Sequence, residues 1–437
     1  MSTITKSGFT QEGFESFLAE YRQPEWLARK RRAAWEKFGE LPFPRGGEEW
    51  RRTDLRSFKL DRYDMPHLPP PEVDLPDALL CQGIDPAGRV ITIDSLLVHE
   101  ELDPAYRRQG VLFGSLDDLL LKHGDLLRPH LLSRAVDPCY DKFAALHAAC
   151  WQGGTLVYVP RGVAVEQPLH AFSTLSPGGV DLGHALIVLE EGAQATVISE
   201  TASTEAGADG LHCGAIEILL APGAHLRYVN LQNWSDGVWH FAHQKALVDR
   251  DASLQWTIGA LGARLAKVNQ HVALTGEGAE AQVNGVMFTE GRQHLAYHTL
   301  QHHETPHGHS DLLYKGAMQD RSRMVWRGMI KVDPDAQKTD AYQRNDNLML
   351  SEQARTDSIP GLEIEADDVK CSHGATAGRV DDEQVFYAQS RGLTREEAVR
   401  MIVTGFFQQV FDRITIESVR EALGQAIARR VRDYQET

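Results

Sequence analysis

The chain has 437 residues, 42% of them hydrophobic and 24% charged, and a net charge of −16; this is soluble globular composition with a sizeable core, about three domains by length. So acidic a chain excludes nucleic acid or an anionic membrane surface as its main partner, because both demand a basic footprint. Its longest apolar runs, such as Ala185 to Leu189, fall far short of the roughly 20 residues of a membrane span, and no apolar stretch follows a basic start, so the expected location is the cytoplasm.

From Gln11 to about Phe38, the residues Phe14, Phe17, Leu18, Trp26, Leu27, Ala34, Trp35 and Phe38 recur at three- and four-residue spacings, which predicts a helical N-terminal domain over 1–80. LPFPRGG breaks that pattern, and the proline-rich HLPPPEVDLP, His67 to Pro76, marks a boundary. A mixed connecting region, 81–152, alternates short strands with short helices, one of them from Leu116 to Lys122 with Ser115 as its cap. Five cysteines, Cys81, Cys139, Cys150, Cys213 and Cys371, lie scattered without a C-x-x-C. That pattern fits neither a disulfide framework nor a self-sufficient zinc or iron-sulfur loop, and most of them read as buried small hydrophobes.

From about Gly153 the texture becomes strand, then Gly or Asp followed by Ala, then strand: HALIVLEEGAQATVIS, GAIEILLAPGAHLRYVN, QKALVDRDASLQWTIG and HVALTGEGAEAQVNG. The turn positions Gly192, Gly223, Asp251 and Gly278 lie 31, 28 and 27 residues apart. A self-similar turn at this period is the signature of a solenoid, each coil burying its apolar face against the next. A β-sandwich also gives many short strands, but the repeated turn favours a parallel β-solenoid core over 153–379. The fold class is therefore mainly β with flanking α.

A C-terminal helical domain, 380–437, follows. Asp381-Asp382-Glu383-Gln384 and Thr394-Arg395-Glu396-Glu397 both read as capping boxes; the first helix stops at Gly392, and the second carries Val399, Ile402, Val403, Phe406, Phe407 and Val410 on a broad apolar face. A further amphipathic segment runs from Thr415 to Arg432. Two or three helices are too few for a large core of their own. Two surfaces are open to them: the chain's own N-terminal helices, or a partner protein.

Two stretches carry metal-ligating residue types. HLAYHTLQHHETPHGHSD holds His294, His298, His302, His303, His307 and His309; on a strand the first three share a face and oppose the last three, so no single face gathers all six. The expectation is a surface polar loop in which one or two histidines function, with His303 and His307 as candidate metal ligands. In VKCSHGAT, the alternation of a strand puts Val369, Cys371 and His373 on one side. Cys371 and His373 can then serve one ion, form a reactive pair or merely pack, and as two donors they need help from elsewhere to close a site. There is no G-x-x-x-x-G-K-[ST] and no G-x-S-x-G, so nucleotide hydrolysis, if used, comes from a partner.

The segment AQKTDAYQRNDNLMLSEQARTDSIPGLEIEADDVKCSHGATAGRVDDEQVFYAQSRGLTREEA, Ala336 to Ala398, resembles the SufB/SufD family of iron-sulfur cluster assembly proteins, and within it the SufD branch; EEWRRTDL, Glu48 to Leu55, is similar to the family's N-terminal motif. The resemblance implies a right-handed parallel β-helix between two helical domains. It implies a non-catalytic scaffold subunit whose partners are a SufB-like paralogue, met through the β-helix cores, and a SufC-like ABC ATPase, met on the C-terminal helices that carry Phe406 and Val410. It also implies that His373, with Cys371 beside it, contributes to a transient Fe-S cluster shared with SufB. SufB members carry an essential cysteine where this chain has Asn345, and glutamates where Ser372 and Gly374 stand, so the chain holds half a site. Reduced flavin belongs to the family's complex, although no flavin motif occurs here, and homodimerisation before SufB arrives stays open. The rival readings are a β-helix enzyme such as a polysaccharide lyase, for which Asp367 and Asp368 point to opposite faces, and a purely structural subunit in which Cys371 and His373 only pack.

Overall fold

The computed structural model describes residues 8–65 and 70–431; the start of the proline-rich link and the two chain ends lie outside the described residues. The N-terminal helical run divides into α1 (Gln11–Glu20) and α2 (Glu25–Glu40), because Pro24 has no N–H to extend α1 and stands instead at the N-cap of α2. Phe14 stacks on Trp35 with ring centroids 4.4 Å apart, which fixes α1 on α2. The short α3 (Gly47–Trp50) follows. In the connecting region come β1 (Gly88–Ile93), β2 (Leu96–Leu102), α4 (Pro104–Arg108), β3 (Leu112–Ser115), α5 (Leu116–Leu127) and α6 (Lys142–Cys150). Helix α6 is buried from Phe143 to Cys150, sandwiched between α2 and the solenoid. The buried guanidinium of Arg31 on α2 anchors there by donating to the carbonyls of Ala149 and Trp151 at 3.2 and 2.6 Å.

The solenoid begins with β4 (Gly154–Val159), β5 (Leu169–Leu175), β6 (Val180–Asp181) and β7 (His184–Leu189). It continues through β8 (Gln194–Ser203), β9 (Asp209–Leu220), β10 (His225–Asn233), β11 (Gly237–Val248), β12 (Ser253–Ala260), β13 (Leu265–Leu274) and β14 (Glu280–Thr289). The last coils are β15 (His294–His303), β16 (His309–Met318), β17 (Arg323–Val332), β18 (Asp340–Met349), β19 (Arg355–Ile364) and β20 (Lys370–Arg379). Two sheets result. Sheet A runs β2-β1-β5-β8-β10-β12-β14-β16-β18-β20 and sheet B runs β3-β4-β7-β9-β11-β13-β15-β17-β19. Pairing is parallel throughout the about 8 turns of the solenoid, with antiparallel pairs at its start, β1 with β2 and β3 with β4.

The turn column explains the repeat. Gly192, Gly223, Asp251 and Gly278 all have φ between 54° and 72°, and the column continues through His307 at 60° and Lys338 at 63°. Each donates its N–H to a carbonyl of the next coil's turn: Gly192 to Pro222, Gly223 to Arg250, Asp251 to Glu277, Gly278 to Pro306, His307 to Gln337 and Lys338 to Asp368, over 2.7–3.4 Å. The later turns look irregular in sequence only because histidine and lysine replace glycine in the left-handed conformation.

Apolar side chains fill the lumen, with Tyr228, Trp256, Tyr314 and Trp326 among the largest. The N-terminal helices cover the outer face of sheet B. The C-terminal helices α7 (Asp382–Ser390), α8 (Arg395–Phe411) and α9 (Glu417–Arg430) do not pack on the N-terminal helices, the intramolecular surface expected of them. Their apolar face lies on the outer face of sheet A, against Ile198, Val229, Leu231, Val286, Phe288 and Leu313. A sheet in a solenoid has two covered faces, and this one offered apolar outward residues that no N-terminal helix reached.

Candidate functional site

The last coil leaves a lumen-facing row uncovered. In the parallel ladder, Ala341 pairs with Cys371, Gln343 with His373, Asn345 with Ala375 and Asn347 with Ala377. Those four partners on β18 are at most 2% exposed. Cys371 and His373 therefore continue the inward row, on one side of β20, with Lys370 and Ser372 on the other. No coil follows, so His373 is exposed while Cys371 is half-buried against Ile330, Val332, Ala336, Ala341 and Ala366. Burial pushes the Cys371 thiol up, and the nearby Asp340 charge adds to the rise. It stays a thiol until a cation lowers its pKa.

The facing wall is β19, whose pairing with β17 sets Pro360 beside Gly328, Leu362 beside Ile330 and Ile364 beside Val332. Ile330 and Val332 are fully buried, whereas Leu362 and Ile364 on the same inward row are 37% and 39% exposed. An apolar rim thus surrounds the histidine and the thiol. The sequence signal for it was the alternation in LEIE, Leu362 to Glu365, which reads as an ordinary strand until the missing next coil is known. Asn345 lies one coil down and is fully buried. Its Nδ2 donates to the Tyr314 carbonyl at 3.3 Å, and its Oδ1 accepts from Asn347 at 2.6 Å and Ser358 at 2.7 Å. An amide locked by three hydrogen bonds sits where the resemblance puts a cysteine in SufB.

The histidine-rich stretch is not a surface loop. It is β15, a turn and the start of β16. His294, His298 and His302 face outward from sheet B, while His303 points into the lumen, 0% exposed, with Nε2 2.8 Å from Ser310 Oγ. Burial lowers the His303 pKa to about 4, so it is neutral. His307 is exposed and holds the turn column, its ring 4.0 Å from Glu277. Neither is brought beside Cys371 or His373: β15 lies two strands inside the open end.

Phe406 and Val410 separate on α8. Val410 is fully buried in the interface with sheet A; Phe406 is half-buried, with the Lys315 ammonium 4.6 Å from its ring centroid. The large exposed side chains of this helical unit are Phe386 at 72%, Tyr387 at 61% and Met401 at 53%. Among the described residues no helix is long and apolar enough to cross a membrane.

Comparison with known proteins matches residues 172–406 to the core domain of SufBD proteins of the SUF system for FeS cluster assembly, and residues 14–171 to the SufBD N-terminal region. The chain belongs to the SufBD family. The Bacillus subtilis iron-sulfur cluster assembly protein SufD is 30% identical over 99% of this chain and 100% of its own length. SufB of the same organism is 26% identical over 94% of this chain and 91% of its own, and a SufBD family protein of Staphylococcus epidermidis is 25% identical over the same shares. Membership assigns the chain a role in Fe-S cluster assembly, and the core-domain match spans the whole open end of the solenoid.

Proposed function

We propose that this chain is the SufD-like scaffold subunit of a SufBCD-type complex and that its open solenoid end is half of the site where a nascent Fe-S cluster forms. The carrying observation is the edge of β20, unpaired among the described residues, with His373 exposed and Cys371 half-buried on its inward row. An unpaired edge with apolar Leu362 and Ile364 at its rim is a liability unless another chain takes it. The opposite end of the solenoid supports the contrast, since Leu102, Tyr106, Val111 and Phe113 are buried in the lumen core there. A SufB-like paralogue seated on the open end brings donors of its own to His373, and ionisation of Cys371 follows from the iron rather than from the isolated chain. Neutral imidazole suits iron and is a releasable ligand, as a cluster meant for transfer requires. The C-terminal helices then present Phe386, Tyr387 and Met401, with the edge of Phe406, to a SufC-like ATPase, Val410 serving to hold α8 on the sheet.

His373→Ala, co-expressed with SufB-like and SufC-like partners and purified anaerobically, tests the reading. Expected is an intact complex with iron and sulfide reduced at least roughly tenfold, since a cluster ligand is removed. Normal cluster content in an intact complex overturns the site and leaves only packing at the end of the solenoid.

A further inference from the structure

The outer faces of the two sheets each carry a buried glutamate that clamps a connecting segment. On sheet B, Glu217 of β9 accepts from the Leu132 amide at 2.7 Å and the Val136 amide at 3.1 Å, and meets His184 Nε2 at 3.1 Å. His184 Nδ1 lies 3.0 Å from His147 Nε2, and His147 Nδ1 donates to the Cys213 carbonyl at 2.9 Å. Every imidazole nitrogen in that clamp has a partner. On sheet A, Glu200 of β8 accepts from the Leu79 and Leu80 amides at 2.9 and 3.0 Å and meets His170 Nε2 at 3.0 Å.

The second clamp differs from the first in two respects. His170 is 1% exposed, yet its Nδ1 has no hydrogen-bond partner among the described residues. With no acceptor or donor at Nδ1, that nitrogen can carry the ring proton, which leaves Nε2, 3.0 Å from Glu200, free to act as a donor atom. A thiol also stands beside the pair: Cys81, His170 and Glu200 place one donor atom each within 4.8 Å of one another. The clamp on sheet B performs the same mechanical task with no thiol grouped with His184 and Glu217 among the described residues, so holding the segment does not account for Cys81. At 8% exposed, Cys81 is also the least buried member of the group.

We infer that Cys81, His170 and Glu200 form a three-donor site for a divalent transition-metal ion of borderline softness, Zn²⁺ or Fe²⁺. A thiolate, an imidazole and a carboxylate are the donor types such ions take, and three protein donors leave one position open. Loading breaks the Cys81 S–H bond, sends its proton to solvent and forms metal–sulfur, metal–nitrogen and metal–oxygen bonds; nothing is oxidised. Thiolate and carboxylate together offset the charge of the ion, which a buried site requires. Burial and the Glu200 charge push the Cys81 thiol up to about 12, so the metal itself drives that deprotonation. The site is separate from the open end: β8 and β20 are six strands apart in sheet A, about 29 Å at the ordinary interstrand spacing.

The test uses the full chain, stripped with chelator and titrated anaerobically with Co²⁺ as a spectroscopic stand-in. Expected are one Co²⁺ per chain, a thiolate-to-cobalt charge-transfer band and the intense visible bands of low-coordinate cobalt. Cys81→Ser, which leaves the Glu200 clamp in place, removes the charge-transfer band and weakens binding roughly tenfold or more; Cys371→Ser and His373→Ala leave both unchanged. Displacement of the cobalt by Zn²⁺ alone assigns zinc, and retention of one Fe²⁺ through anaerobic desalting assigns iron. Absence of the band in a chain of unaltered circular dichroism, or its survival in Cys81→Ser, overturns the site. Because the cluster content of the His373→Ala complex is read separately, failure here leaves the proposed function standing.

Discussion

His307 adopts a backbone conformation that glycine adopts without cost, at φ 60° in the same column as Gly192, Gly223 and Gly278. A Cβ in the left-handed region costs roughly 1–2 kcal/mol, partly offset by the smaller entropy a non-glycine residue loses on folding. His307→Gly is therefore expected to hold or raise stability by about 0.5 kcal/mol and to leave the iron of the purified complex unchanged. Gly223→Ala is its mirror image: an added Cβ meets nothing closer than 4.0 Å, so the backbone term alone should lower stability by about 1 kcal/mol. Denaturant titration of both variants checks the pair, and a loss of iron in His307→Gly would return that histidine to the ligand set. At this scale the sequence was half legible. Alternation placed His294, His298 and His302 opposite His303 correctly, because side-chain direction in a strand has a strict period of two. The turn position of His307 was hidden, because a histidine that replaces glycine in the left-handed conformation breaks the Gly-Ala turn pattern by which the other turns are read.

At the scale of elements, α8 divides its apolar residues between two tasks. Val410 is fully buried against sheet A, so Val410→Asp places a carboxylate in an apolar interface and should destabilise the protein by about 4 kcal/mol. Phe386 and Tyr387 on α7 are 72% and 61% exposed; Phe386→Asp with Tyr387→Asp should change stability by less than about 0.5 kcal/mol while weakening co-purification with a SufC-like ATPase. Equal losses of binding in the Val410 and Phe386/Tyr387 variants, at equal stability, would refute this division. The capping box of Thr394 and Glu397 formed as read, with both reciprocal hydrogen bonds present, since a cap is encoded within four residues. Where the helix docks was not encoded so locally. An apolar stripe states that a helix is covered, and the covering surface came from Val229, Val286 and Leu313, outward residues of strands far away in sequence.

For the whole molecule, the covered outer face of sheet B and the filled lumen set a pH dependence. Burial, the largest cause in each case, lowers the pKa of His271 to about 3, His294 and His303 to about 4 and His298 to about 2. In the unfolded chain these groups titrate near 6.5, so between those values the unfolded state binds more protons than the folded one. Stability is then fully present above pH ~6.5 and falls as pH drops toward ~4, each histidine contributing up to about 1.4 kcal/mol per pH unit. Lys267 has the same sign in a higher window: burial lowers it to about 7 from 10.5, so the charged form is disfavoured in the fold and stability rises with pH between those values. Asp94 and Asp117, whose carboxyls burial pushes up, act in the opposite sense, starting from the carboxylate range. The optimum is therefore expected on the alkaline side of neutrality, well above the sequence pI of about 5.6. Tm should increase from pH 5 to pH 9, with Lys267→Met flattening the upper part of that rise and His298→Asn the lower. A Tm maximum near pH 5.5 that both substitutions leave in place would show that the buried bases do not govern the stability of this solenoid.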